Sequence, residues 1–376
     1  MKLRICIIAE AYPYEGEPRF PFVQQLAYSL SNIGVECNII APQSVTRNLV
    51  GRGKKKPYHI IDKNPEGKVI NVYRPAIMTF SNTSSNVLCK ISEMLFCSAV
   101  RRSMKDVGKC DAIYCYFWHV GLRTIKALPG TNSIFVQASE CNISVPKHLR
   151  KKEYLDRVAG VVCASGKNRD ESIAEGLTSL ENTIVVVNGY RTDEFYKMDK
   201  AQAREKHGIP RDKFVVAFLG GFIKRKGLPQ LCHVLDRFDD VYSIFIGKGE
   251  ITPNCKNILF KGSLNHNEIV SYLNCADIFV LPTEAEGCCN AIIEALACGL
   301  PIISSNKPFN NEILNDDCSI RLDEHDEQQL FDAIKQIKDD ENLRTQMSTR
   351  ALQKAESLTI ERRARAILEF LTTRIN

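Results

Sequence analysis

A chain of 376 residues with 44% apolar and 25% charged content is long enough for two domains and apolar enough to bury large cores. Nowhere does an apolar run approach the roughly 18 residues that a membrane-spanning helix needs. The net charge of +6 is modest and carries no nucleic-acid signature.

The chain begins MKLRICIIAEAYP, whose apolar core is too short for a signal peptide and lacks a small-residue cleavage site. Leu3 to Ala9 reads instead as a first buried strand. Apolar runs then alternate with helical patterns, which argues for parallel sheets covered on both faces. In the first half, strands are expected over 4–9, 36–41, 69–74, 112–115, 133–137 and 160–164, with helices over 20–33, 85–106, 119–128 and 166–175. In the second half, strands are expected over 214–219, 242–246, 257–261, 278–281 and 301–304, with helices over 227–238, 267–275, 290–298 and 326–338. A domain boundary is expected near Val187-Asn188-Gly189-Tyr190, read as a strand ending in a turn dipeptide and followed by the polar stretch 191–210. The final segment, 359–371, is amphipathic through Ile360, Ala364, Ile367, Leu368 and Leu371.

Fifteen scattered cysteines, odd in number and without a C-x-x-C pair, suggest reduced thiols of a cytoplasmic protein rather than a disulfide framework or a zinc site. Basic clusters at Lys54–Lys56, Arg101-Arg102, 147–152 and 362–365 read first as solvated faces. Helix 85–106 has a broad apolar face and a basic end; its ordinary reading is core packing, its alternative a peripheral contact with the inner face of a membrane.

Chemistry concentrates in Thr283 to Ser305, TEAEGCCNAIIEALACGLPIISS, which follows the apolar run Ile278 to Leu281. Glu286 and Glu294 are eight positions apart, about 80° around a helix axis, so both are expected on one side of a helix with Glu286 at or just before its start. A helix N-terminus at the carboxyl end of a parallel strand offers free N–H groups and a positive dipole end, hence an anion site. Upstream, Gly220-Gly221-Phe222-Ile223-Lys224-Arg225-Lys226-Gly227 follows another strand, and Gly247-Lys248-Gly249 a third. Glycine permits close backbone approach to a ligand and lysine supplies a point charge for phosphate.

Over Asp277 to Glu312 this pattern resembles the E-x7-E signature of family 4 glycosyltransferases, retaining enzymes that use nucleotide sugars. The stretch 220–227 resembles that family's G-R-L-x-x-x-K-G loop, with Gly221 where an arginine is usual. The resemblance implies an α/β protein of the GT-B type: two Rossmann-like domains facing a cleft, with a C-terminal helix crossing back to the first. Residues 1–190 with 359–376 would form the acceptor side and 191–358 the donor domain. It implies that Glu286 faces the transferred sugar, Glu294 holds ribose hydroxyls, and Lys226 with Arg225 meets the diphosphate. Backbone N–H groups of Cys289, Asn290 and Ala291 would face the same diphosphate, with Gly220, Gly221, Gly247, Thr283 and Gly287 completing the pocket. No cofactor is implied; without a D-x-D motif no metal is expected, and the partners are a nucleotide diphosphate sugar and a carbohydrate or lipid-linked acceptor.

The acceptor side is less well marked. Tyr12-Pro13-Tyr14-Glu15-Gly16-Glu17-Pro18-Arg19 lacks the family's glycine pair and offers Arg19. Trp118 and His119 follow the fourth strand; such rings stack on sugars or simply pack. Where many members carry a histidine, Ser139 and Glu140 stand here, and Glu140 is the expected contact for the acceptor hydroxyl and a third catalytic residue beside Glu286 and Lys226. Two other readings stay open: a nucleotide-sugar epimerase of the same fold, and a non-catalytic nucleotide-sugar-binding partner.

Overall fold

The computed structural model describes residues 2–15, 19–49, 51, 54–80 and 86–375. Gly16, Glu17 and Pro18 of the loop after the first strand, and Ser85, the expected start of a helix, lie outside the described residues. The chain divides into two compact units: Met1–Ala164, Asn168–Val186 and Ala364–Asn376 form the first, Ser165–Lys167 and Val187–Arg363 the second.

The N-terminal half supplies strands β1 (Arg4–Ile8), β2 (Glu36–Ile40), β3 (Gln43–Ser44), β4 (His59–Lys63), β5 (Val69–Tyr73), β6 (Ala76–Ile77), β7 (Ala112–Tyr116), β8 (Ile134–Ala138), β9 (Val158–Cys163) and β10 (Thr183–Val185). Its helices are α1 (Pro21–Asn32), α2 (Val45–Leu49), α3 (Asn86–Val107), α4 (Trp118–Ala127), α5 (Lys152–Leu155) and α6 (Gly166–Ala174). Eight strands join in the order β10-β9-β8-β7-β1-β2-β5-β4. Because side chains alternate across a strand, Ile5 and Ile7 enter the core on one face and Cys6 and Ile8 the core on the other. Burial on both faces is why β7 and β8 are apolar without a polar alternation.

One strand departs from the expectation of parallel pairing. β4 runs antiparallel to β5 at the sheet edge, and its sequence HIIDK alternates exposed and partly covered positions. Three of its five residues are polar and the exposed Ile61 breaks the alternation, so its sequence carries no legible strand pattern.

The second unit holds β11 (Phe214–Leu219), β12 (Val241–Ile246), β13 (Ile258–Gly262), β14 (Ile278–Leu281), β15 (Ile302–Ser305) and β16 (Ser319–Leu322), all parallel, in the order β13-β12-β11-β14-β15-β16. Its helices are α7 (Lys200–Lys206), α8 (Leu228–Leu235), α9 (His266–Leu273), α10 (Asn290–Ala297), α11 (Glu327–Asp339) and α12 (Glu341–Glu356). Neither α7 nor α12 carries a strong apolar period in its sequence. α12 buries only Met347, Ala351 and Ala355, a stripe one residue wide at a spacing of four, and is otherwise polar. α7 begins where the Asp199 carboxylate accepts from Gln202 N at 2.8 Å, a cap hidden in a polar stretch.

The segment 187–190 is not the end of a strand, as expected; β10 stops at Val185. Tyr190 forms an isolated bridge with Thr359 instead, donating from its N–H to Leu358 O at 3.0 Å and accepting from Ile360 N at 2.8 Å. The last helix, α13 (Ile360–Thr372), then sends Ala364, Ile367, Phe370 and Leu371 into the first unit's core beside Ile5 and Ile7. The N-terminal unit is thus completed by residues from the far end of the chain.

The basic cluster 362–365 divides: Arg362 and Arg365 are exposed, as expected of a solvated face, while Arg363 is buried and donates to Val187 O. α3 divides its broad apolar surface. Phe96, Cys97, Ala99 and Val100 are buried, while Val87 and Met94 stay exposed. Among the described residues no disulfide joins any of the fifteen cysteines.

Candidate functional site

In the second unit the strand order reverses at β11, which lies between β12 and β14. In an open α/β sheet such a reversal parts the loops at the carboxyl ends of the strands and leaves a crevice. The two loops there are 220–227, after β11, and 282–289, after β14. Their backbones are held together: Glu284 N donates to Arg225 O at 2.9 Å. Gly227 has a left-handed φ of 72°, and a Cβ there would lie 2.3 Å from Pro282 O, so only glycine fits. The Gly247 turn closes the other side, where a Cβ would stand 1.9 Å from Gly220 O. Gly221 is different: the nearest atom to a Cβ there is 3.9 Å away on Ile223.

Lys226 and Glu286, sixty positions apart in the chain, meet at this crevice. Glu286 Oε1 accepts from Lys226 Nζ and, at 2.9 Å, from Thr283 Oγ1. Arg225 stands 3.7 Å from the same oxygen and donates to Ala285 O. Thr283 is fully buried; its carbonyl accepts from Ser305 Oγ at 2.6 Å, and Asn310 Nδ2 donates to Ser305 O at 2.8 Å. Burial works against the Lys226 charge, but Cys289, Glu286 and the hydrogen bond to Glu286 together raise its pKa above the ordinary lysine value. The carboxylate is therefore fixed on one oxygen by a buried hydroxyl and a nearby ammonium.

Glu286 does not lie on a helix. α10 starts at Asn290 with Cys289 as its N-cap, so the 80° relationship to Glu294 does not operate, and the loop path, through the buried Gly287, sets where Glu286 stands. Cys289 makes no side-chain cap, which leaves the first N–H groups of α10 open to an incoming acceptor. Ile292, Ile293, Ala295 and Leu296 bury the opposite face of the helix, while Ala291 is half-buried. Full burial of one such aliphatic side chain stabilises by roughly 1.5–3 kcal/mol. Glu294 is half-buried and has no hydrogen-bond partner among the described residues. Its surroundings push its pKa from the usual 4.5 to about 7, chiefly by desolvation, with His266 opposing and Glu194 adding to the shift. His266 and Glu194 are themselves paired at 3.0 Å.

The expected acceptor-side residues fare differently. Trp118 is a correction: it is fully buried and donates from Nε1 to Ser172 Oγ at 2.9 Å, so it packs in the core and cannot stack on a sugar. Glu140 spends both oxygens on backbone donors, accepting from Trp118 N at 2.8 Å and Ser139 N at 2.9 Å. Its first duty is to hold the start of α4. Ser139 contributes that N–H and is half-buried. His119 Nε2 lies 2.8 Å from Glu10 Oε1. With the exposed Arg19, His119 lines a cavity of about 520 Å³ in the first unit.

Two contributors were missed in the sequence. Asn188 donates from Nδ2 to Asn290 Oδ1 at 2.7 Å and from its N–H to Cys288 Sγ at 3.4 Å, steadying the entrance to α10. Nothing in its Asn-Gly turn signals a partner a hundred positions away. Arg74, just past β5, is almost wholly buried; a charge directly after a mostly apolar strand was the available signal. Among the described residues, no group of three or more histidines, cysteines or carboxylates is placed to hold a metal ion.

Residues 199–354 match the family model of the group 1 glycosyl transferases. TuaC of Bacillus subtilis, a glycosyltransferase provisionally assigned to teichuronic acid biosynthesis, is 24% identical over 322 residues, 81% of each chain. Among solved structures, sucrose-phosphate synthase from Thermosynechococcus elongatus superposes with a TM-score of 0.77 at 16% identity, over 99% of this chain and 98% of that one. HepE from Anabaena, solved in complex with UDP, gives 0.74 at 14% identity over 99% and 100%.

Proposed function

We propose that this chain, which has the GT-B fold and matches the group 1 glycosyl transferases over residues 199–354, moves a hexose-type sugar from a nucleoside diphosphate sugar to an acceptor hydroxyl, with retention, in the assembly of a surface polysaccharide. The observation that carries this reading is the meeting of Lys226, Thr283 and Glu286 beside the uncapped start of α10. That arrangement suits a diphosphate ester: positive charge and free N–H groups for the phosphates, a fixed carboxylate for the sugar. HepE was crystallised with UDP, and TuaC carries a polysaccharide assignment; both support the choice of donor and setting.

In this reading the acceptor oxygen bonds to the anomeric carbon as the bond from that carbon to the diphosphate breaks. The bonding pair leaves with the nucleoside diphosphate, and the acceptor's proton passes to a leaving-group oxygen. Charge therefore builds on the diphosphate, and stabilising it is the main catalytic task. Lys226, Arg225 and the N–H groups of Cys289, Asn290 and Ala291 take that task. Glu286 orients the sugar, and Glu294 accepts from the ribose hydroxyls. Gly220 and Gly247 let the backbone approach, whereas Gly221 has room for a side chain. The reading needs no metal, because these groups supply the positive charge.

Thermal-shift screening against UDP-, GDP- and ADP-sugars tests the proposal. One nucleotide class should raise the melting temperature of the parent but not of Lys226→Ala. If none of the three does so, the donor assignment is wrong.

A further inference from the structure

The cavity of about 520 Å³ in the first unit has the position and composition of a ligand site. In that sheet the strand order reverses at β1, which lies between β7 and β2. Glu10 and Tyr12 follow β1, Gln43 stands just past β2, Arg74 closes β5, and His119 follows β7; all line the cavity. A crevice at the carboxyl ends of parallel strands, where their order reverses, is where this class of sheet receives ligands.

Its charge is one-sided. Arg19, Arg47, Lys54, Lys56, Arg74 and Arg123 line it, and among its described lining residues the single carboxylate is Glu10, which is engaged by His119 at 2.8 Å. Arg74 is the most telling of these. It is only 1% exposed, its Nη2 donates to Pro13 O at 3.0 Å, and its guanidinium lies over the rings of Tyr12 and Tyr14 at 5.8 and 5.1 Å. Its Nε and Nη1, both buried, have no hydrogen-bond partner among the described residues. Nε of Arg123 is in the same state. Arginine cannot shed its charge, so buried donors without an acceptor cost free energy until an anion arrives. Ser44 and Thr79, whose hydroxyls are hydrogen-bonded to each other, lie on the same wall. Ile77, Phe80 and Phe96 give the cavity an apolar side.

We propose that this cavity seats a phosphate or diphosphate group carried by the acceptor. The proposal rests on the reading of the first unit as the acceptor half. Four arginines, Arg19, Arg47, Arg74 and Arg123, against one engaged carboxylate suit an anion of two or more charges better than a single carboxylate, and the guanidinium fork matches phosphate oxygens. A lipid-linked and a water-soluble phosphate would present the same group to Arg74.

The test is calorimetric titration of the full-length chain with inorganic pyrophosphate in a Lys226→Ala background, which removes the lysine of the proposed donor site and leaves the cavity intact. Adding Arg74→Gln should weaken binding at least tenfold, and adding Arg47→Ala, an exposed position whose replacement spares the core, should weaken it severalfold. Three results would each overturn the proposal: no pyrophosphate binding in that background, affinity unchanged by both added substitutions, or glucuronate binding as tightly as pyrophosphate. Geranylgeranyl diphosphate separates the sources. At least tenfold tighter binding than pyrophosphate supports a lipid carrier, and equal binding supports a soluble phosphate. Pyrophosphate binding that depends on Arg74, in a chain whose parent binds no nucleotide sugar, would sink the transfer reading and leave this site standing.

Discussion

Thr283 and Glu286 are tied hydroxyl to carboxylate: the buried Thr283 Oγ1 donates to Glu286 Oε1 at 2.9 Å, on the oxygen that also accepts from Lys226. Thr283→Val keeps the shape and removes this donor, so the carboxylate loses its fixed orientation. Steady-state kinetics should show kcat reduced about tenfold, with a stability loss of about 1 kcal/mol. Glu286→Gln, which removes the charge itself, should lower kcat by roughly 10²–10³. A Thr283→Val enzyme with parental kcat would leave Thr283 no part in positioning Glu286.

Glu294 supplies a pH signature. Its pKa is raised to about 7 in the folded chain from a usual value of 4.5, chiefly by desolvation. The folded state therefore holds a proton that the unfolded state gives up, and this contribution to stability is lost as pH rises from about 4.5 through 7. Urea unfolding should show Glu294→Gln gaining on the parent across that window. Donor affinity should move the other way. Ribose hydroxyls donate best to the ionised carboxylate, so nucleotide-sugar affinity should rise from pH 6 to 8 in the parent and stay flat in Glu294→Gln.

Two glycines in one loop should answer substitution oppositely. A Cβ at Gly227 meets Pro282 O at 2.3 Å with φ at 72°, whereas at Gly221 it meets nothing closer than 3.9 Å. Gly227→Ala should cost several kcal/mol, roughly the sum of a clash and a strained left-handed residue, and should abolish donor binding. Gly221→Ala should fold and bind within about twofold of the parent. Thermal melts and donor titration check both.

Glu140 accepts from two backbone N–H groups at the start of α4. Glu140→Gln replaces one acceptor oxygen with a donor and should lower stability by about 1–3 kcal/mol, read as a fall of several degrees in melting temperature. Donor affinity should not change.

Chelation tests the charge assignment on the leaving group. Activity should survive EDTA without loss, while Lys226→Ala should lower it at least 10²-fold. Loss of activity in EDTA, restored by a divalent cation, would assign part of that charge to a metal.

The sequence by itself determined the layered α/β architecture and marked the two loops, 220–227 and 282–289, that meet at the crevice of the second unit. Strands such as Phe214–Leu219 and Ile278–Leu281 are covered on both faces, so their apolar runs are continuous and readable wherever they occur. The loops after them are legible for a local reason too: Gly227 is dictated by its own φ and by Pro282, and the E-x7-E spacing lies within one strand-loop-helix unit. Only the tertiary structure decided that Glu286 stands in a loop rather than on α10, that Trp118 belongs to the core, and that Glu140 holds a helix start. It alone brought Arg74, Arg123 and Glu10 to one cavity. These outcomes depend on which strands neighbour one another and where their loops part. A residue's own neighbours in sequence carry its backbone period, whereas its partners across a sheet are set by strand order, which no local period encodes.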